Sequence, residues 1–94
     1  MATADDAAAA RPPQLTLYSR AHCHLCEEMI AGLRRMQAQH AFTLDVVDVD
    51  RDPLLAARFG AHVPVLVHGA HELCRHRIDA AAVGAYLSGV RPDR

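Results

Sequence analysis

The sequence predicts an α/β fold: a four-stranded mixed sheet with helices on both faces. Two observations lead there. Short apolar runs with strand spacing alternate with stretches of helical period. The first two runs are joined through a helical stretch, so they form a right-handed parallel crossover, while the last two are joined by a four-residue turn and form an antiparallel hairpin.

Each element has its own signal. Leu15–Ser19 alternates apolar positions and reads as the first strand. A helix follows the first two cysteines, with Leu25, Met29, Leu33 and Met36 on one face. Glu27 and Glu28 fall in its early turns and Arg34 and Arg35 later, each at the end of the helix dipole that favours its charge. Phe42–Val49 is rich in β-branched residues and reads as the second strand. Asp52 is then a natural N-cap, and Pro53 suits the first helical position. Leu54, Leu55 and Phe59 give this short helix an apolar side, and Gly60 is expected to end it in the left-handed conformation. Val63–Val67 is the most apolar run and reads as a strand buried on both faces, with Pro64 at its start. His68–His71 turns the chain into a weaker strand over Glu72–Arg77. Asp79 caps a last helix that carries Val83, Tyr86 and Leu87 and ends at Gly89.

Ninety-four residues make one domain. About half are hydrophobic, aromatics are 4% and Trp is absent, so the core is aliphatic. The net charge of −1 is spread over interspersed acidic and basic residues, which argues against a nucleic-acid surface. All ten basic residues are arginine, a usage that with the abundant alanine suggests a GC-rich genome. Residues 1–13 read as a flexible tail closed by Pro12-Pro13, and residues 14–94 as the domain. The tail places acidic residues before a short alanine run, the reverse of a secretory signal, and no run approaches the length of a membrane helix. An odd count of three cysteines argues against a secreted disulfide scaffold. The expectation is a soluble, cytoplasmic monomer with no nucleic-acid or membrane partner.

The stretch Tyr18-Ser19-Arg20-Ala21-His22-Cys23-His24-Leu25-Cys26 joins a strand end to a helix start. A Cys-x-x-Cys pair there reads as a redox motif. Positions three apart face each other on a helix, so the two sulfurs can close a ring. A thiolate is the attacking species, and a helix start lowers a thiol's pKa through free N–H groups and the dipole. Cys23 is therefore expected to be the lowered thiol and Cys26, one turn inward, the unperturbed one. His22 and His24 can tune Cys23 as local charges. Arg20 is a candidate anion contact or thiolate stabiliser, and Arg75 and Arg77 a solvated edge. A second reading is a zinc-binding module in which Cys23 and Cys26 are joined by His22 and by Cys74 or His76, or, as a variant, an iron–sulfur cluster shared between two chains. A third is an adaptor that docks a partner without redox chemistry.

With these residues in place, the sequence resembles the glutaredoxin branch of the thioredoxin-like fold. It is most similar to small glutaredoxin-like proteins with the pattern Tyr-Ser-Arg-x-x-Cys-x-Leu-Cys. Tyr18-Ser19-Arg20, Cys23-His24-Leu25-Cys26, Asp48-Val49-Asp50 and Val63-Pro64-Val65-Leu66 carry the likeness, which runs from Leu15 to about Leu87. The resemblance implies a thioredoxin-like, glutaredoxin-type order β-α-β-α-β-β-α. It implies a thiol-disulfide oxidoreductase in which Cys23 attacks and Cys26 resolves. It also implies a cis Val63-Pro64 bond beside the cysteines, with the Val63 backbone pairing with substrate. The partner would be a disulfide-containing protein or a low-molecular-weight thiol. No bound cofactor is expected, and glutathione is a candidate electron donor. The sequence departs from ordinary glutaredoxins in two places. His24-Leu25 replaces Pro-Tyr between the cysteines, and Leu73–Arg77 stands where a glutathione-holding Gly-Gly pair would lie.

Overall fold

Four strands and three α-helices follow one another in a computed structural model that describes residues 11–89. The order is β1 (Gln14–Ser19), α1 (His24–Met36), β2 (Thr43–Asp48), a 3₁₀ turn (Val49–Arg51), α2 (Pro53–Phe59), β3 (Val65–His68), β4 (His71–Arg75) and α3 (Ala80–Gly89). Most of the expected tail, residues 1–10, lies outside the described residues, as do residues 90–94.

The sheet order is β2-β1-β3-β4. β1 and β2 run parallel, with Leu17 opposite Val46. β3 is antiparallel to β1, with Leu66 opposite Leu17, and β4 is antiparallel to β3. The sheet is thus mixed, as expected. Its two faces carry separate cores. Leu15, Leu17 and Leu66 pack with Met29 and Leu33 of α1 and with Val83 and Leu87 of α3. Val65 and Val67 face the other way and pack with Val49 and with Phe59 of α2.

Several expected boundaries shift, each for a local reason. On α1 the buried stripe is Cys26, Met29, Gly32 and Leu33, and Leu25 is only half-buried. Consecutive residues lie about 100° apart round a helix, so the inward place of Cys26 leaves Leu25 on the flank. β2 is shorter than Phe42–Val49 because Asp48 turns the chain: its Oδ1 accepts the Asp50 N–H at 2.9 Å and starts the 3₁₀ turn. Phe42 and Val49 are nevertheless buried just outside the strand. In α2, Asp52 caps Leu54 N at 2.9 Å with Pro53 next, as expected. Leu55 and Phe59, four apart, pack in the second core, which leaves Leu54 79% exposed rather than on the apolar side.

Gly60 closes α2 at φ −55°, right-handed rather than left-handed, so its small size serves another purpose, described below. β3 begins at Val65 because Pro64 has no N–H for the ladder. The Val63-Pro64 bond is cis, and the Pro64 carbonyl accepts the His76 N–H at 2.8 Å. β4 ends at Arg75 instead of Arg77. His76 takes φ +69° and the Arg77 N–H returns to the Arg75 carbonyl at 2.7 Å, a γ-turn. In the hairpin turn Gly69 has φ +60°, the left-handed conformation a tight antiparallel turn requires. Asp79 caps α3 through Ala82 N at 3.0 Å, and the helix runs through Gly89.

Candidate functional site

The parallel pairing of β1 and β2 and the antiparallel pairing of β3 bring three segments to one end of the sheet. These are the loop after β1, the 3₁₀ turn after β2, and the Val63-Pro64 corner before β3. Tyr18 lies opposite Val65, so Pro64 approaches the sheet beside Ser19, just before the cysteine loop.

Cys23 is the N-cap of α1, with extended backbone. Its Sγ accepts the Cys26 N–H at 3.2 Å, one of the donors a helix start leaves without a partner in the helix. Cys23 and Cys26 are joined as a disulfide, with Cα atoms 5.2 Å apart. Exposure separates the two sulfurs: Cys23 is half-buried, while Cys26 is 1% exposed beneath it. Of the two sulfurs, the one at Cys23 therefore belongs to the more solvent-accessible residue.

The other expected residues are distributed around this pair. His22 is exposed at φ +57° in the turn before Cys23. His24 is exposed on the first turn of α1, with Nε2 2.6 Å from Glu28 Oε2. Arg20 is held by the segments beside the cysteine loop. Its Nε and Nη2 donate to both Asp50 carboxylate oxygens at 3.0 and 3.1 Å, and its Nη1 donates to the Gly60 carbonyl at 3.1 Å. Val63 is half-buried and Pro64 buried.

Sequence reasoning missed Asp50 and Gly60 as anchors of Arg20, although Asp50 stood in a stretch carrying the family likeness. It also missed His62, whose ring meets that of His76 edge-on at 6.2 Å beside the proline corner. Cys74 lies in β4 opposite Leu66 and packs against the first core. Among the described residues, no three His, Cys, Asp or Glu side chains converge in a way that could hold a metal ion. No helix among them is long and apolar enough to cross a membrane. A groove of about 380 Å³ opens between α2 and the β3–β4 turn, over Tyr18 and Val67, and no residue of the cysteine loop lines it.

Known proteins are similar to this chain in sequence and fold. The profile of the Glutaredoxin-like domain (DUF836) matches residues 14–88. A solution structure of a protein from Nitrosomonas europaea is 42% identical, with a TM-score of 0.73, over 83% of this chain and 94% of that one. A crystal structure of an X. campestris protein is 34% identical, with a TM-score of 0.63, over 81% of this chain and 97% of the other. An uncharacterized protein of Mycobacterium tuberculosis is 29% identical over 92 residues, which span 87% of this chain and 94% of the relative. With its cysteine pair at a helix start on a four-stranded mixed sheet, the chain is a redox-type module of the thioredoxin-like fold and belongs to the glutaredoxin-like family.

Proposed function

We propose that the protein is a dithiol oxidoreductase that reduces disulfides of proteins or of low-molecular-weight thiols. The observation that carries this reading is the unequal pair: an accessible Cys23 capping α1 over a buried Cys26 one turn away. In the reduced protein the Cys23 thiolate attacks one sulfur of a substrate disulfide. That S–S bond breaks, a mixed disulfide forms, and the departing thiolate takes a proton. Cys26 then gives up its proton and attacks the Cys23 sulfur. The second substrate thiol leaves, and the Cys23–Cys26 disulfide remains. Two electrons have passed to substrate, and glutathione or a reductase supplies two electrons to reset the pair.

The start of α1 favours the thiolate, because the Cys26 N–H that now meets the sulfur would meet a full negative charge. Exposed His22 and His24 tune that charge from either side. The Val63 backbone and Pro64 form the corner against which the substrate strand lies. The setting is cytoplasmic, and the working unit a monomer.

The test is a turnover assay on a mixed disulfide, run first with glutathione and then with a thioredoxin reductase system. Cys23→Ser should abolish turnover, and Cys26→Ser should accumulate a mixed disulfide visible by mass. Wild-type turnover by Cys23→Ser would overturn the assignment.

A further inference from the structure

One side chain reaches from the cysteine loop to both segments beside it. Arg20 is the first residue after β1, and its guanidinium fork grips the Asp50 carboxylate with two donors while a third holds the Gly60 carbonyl. Asp50 is itself held, since its N–H donates to Asp48 Oδ1 at 2.9 Å. Gly60 follows α2 and leads directly toward Val63-Pro64. Its φ of −55° suits any residue, so backbone conformation does not demand glycine there. Space does: a Cβ would stand 2.8 Å from Arg20 Nη2 and 2.5 Å from the Ala56 carbonyl oxygen. The Ala56 carbonyl and the guanidinium together occupy the volume that a side chain at position 60 would need. Only arginine offers planar donors that can serve a carboxylate and a carbonyl together.

We infer that Arg20 is a positioning residue: it ties the loop carrying Cys23 to the segment entering the Val63-Pro64 corner, so that thiol and bound substrate keep their relative placement. The inference rests on the oxidoreductase reading above. It gives Arg20 a different role from the anion contact or thiolate stabiliser expected from the sequence. The two charged side chains are 40% and 49% exposed, so the pair adds little to global stability and its effect is geometric. Displacements of about 1 Å at a reacting centre can cost roughly a hundredfold in rate.

The experiment compares Asp50→Asn, Gly60→Ala and Arg20→Gln with wild type. The first two leave the Arg20 charge in place: Asp50→Asn disturbs one anchor alone, and Gly60→Ala crowds the other together with the Ala56 carbonyl of α2. Disulfide turnover is measured well below each variant's melting temperature. The rate of Cys23 alkylation in the reduced protein is followed across pH. All three variants should lose about tenfold in kcat/KM, a partial form of that cost. The Arg20→Gln/Asp50→Asn double variant should be no worse than Arg20→Gln alone, as partners in one network behave. The alkylation profile should remain that of wild type. If Gly60→Ala fails to fold, Asp50→Asn carries the comparison.

The inference is overturned if Asp50→Asn and Gly60→Ala keep wild-type turnover while Arg20→Gln alone loses it, or if Arg20→Gln shifts the alkylation profile. Either result would make the charge itself the active feature. Absence of wild-type turnover on any disulfide would instead sink the oxidoreductase reading, and this inference with it. Wild-type turnover shared by all three variants would sink the positioning role alone.

Discussion

Cys74 shows how surroundings separate one sulfur from another. Burial pushes its thiol above the ordinary range and the charges of Asp79 and Glu72 add to the rise, against an opposing backbone hydrogen bond at Asp79. Folding therefore favours the neutral thiol. That contribution to stability is complete below the ordinary thiol range and is lost as pH rises through the raised, folded-state value. Cys74→Ala should accordingly lose less melting temperature than wild type between about pH 7 and about pH 10, a range spanning the ordinary thiol pKa. In the oxidised protein, Cys74 should react with a thiol reagent at mildly alkaline pH more slowly than free cysteine. A rate equal to free cysteine would contradict the burial argument. Cys23, equally half-buried, differs in its neighbours: it caps α1 and is joined to Cys26.

The two helices at the site end of the sheet start differently. α1 is capped by a sulfur where Ser, Thr or Asp would ordinarily stand, so its cap is also one half of the disulfide. α2 has only seven residues, too few to hold without support, and relies on the Asp52 cap, on Pro53 and on the packing of Phe59. Asp52→Ala should therefore cost about 1 kcal/mol, measured by denaturant unfolding. The same change removes a carboxylate close to Asp50, so turnover should be followed in parallel. A stability loss with intact turnover would show that the cap supports the helix without setting the site.

Two small cores on opposite faces of one sheet hold the molecule together, and β3 serves both. Leu66 is fully buried against α1 and α3, while Val65 and Val67 face α2. Leu66→Ala should destabilise by about 2–5 kcal/mol, the range for emptying a core leucine site. For a domain of this size that corresponds to a fall in melting temperature of roughly 4–8 °C per kcal/mol. Val46→Ala, on edge strand β2 and 39% exposed, should cost well under half as much. Equal losses at the two positions would mean that the sheet is not buried as described.

Local pattern was enough to identify the strands, the three helices, the Asp52 and Asp79 caps, the hairpin and the Cys23/Cys26 pair. Each depends on residues a few positions apart, where alternation, helical period and capping chemistry act directly. Local pattern misplaced Leu25, Leu54, Val49 and the ends of β3 and β4, because facing and termination depend on what packs alongside. It assigned Gly60 a left-handed conformation, whereas its φ is right-handed and a Cβ there would meet the Ala56 carbonyl of its own helix as well as the Arg20 guanidinium. Arg20 meets Asp50 across 30 positions and Gly60 across 40, and no local rule spans that distance. Residues near in sequence revealed which chemistry the chain carries. How that chemistry is aimed follows from strand pairing, which brings remote segments to one end of the sheet, where their side chains compete for the same space.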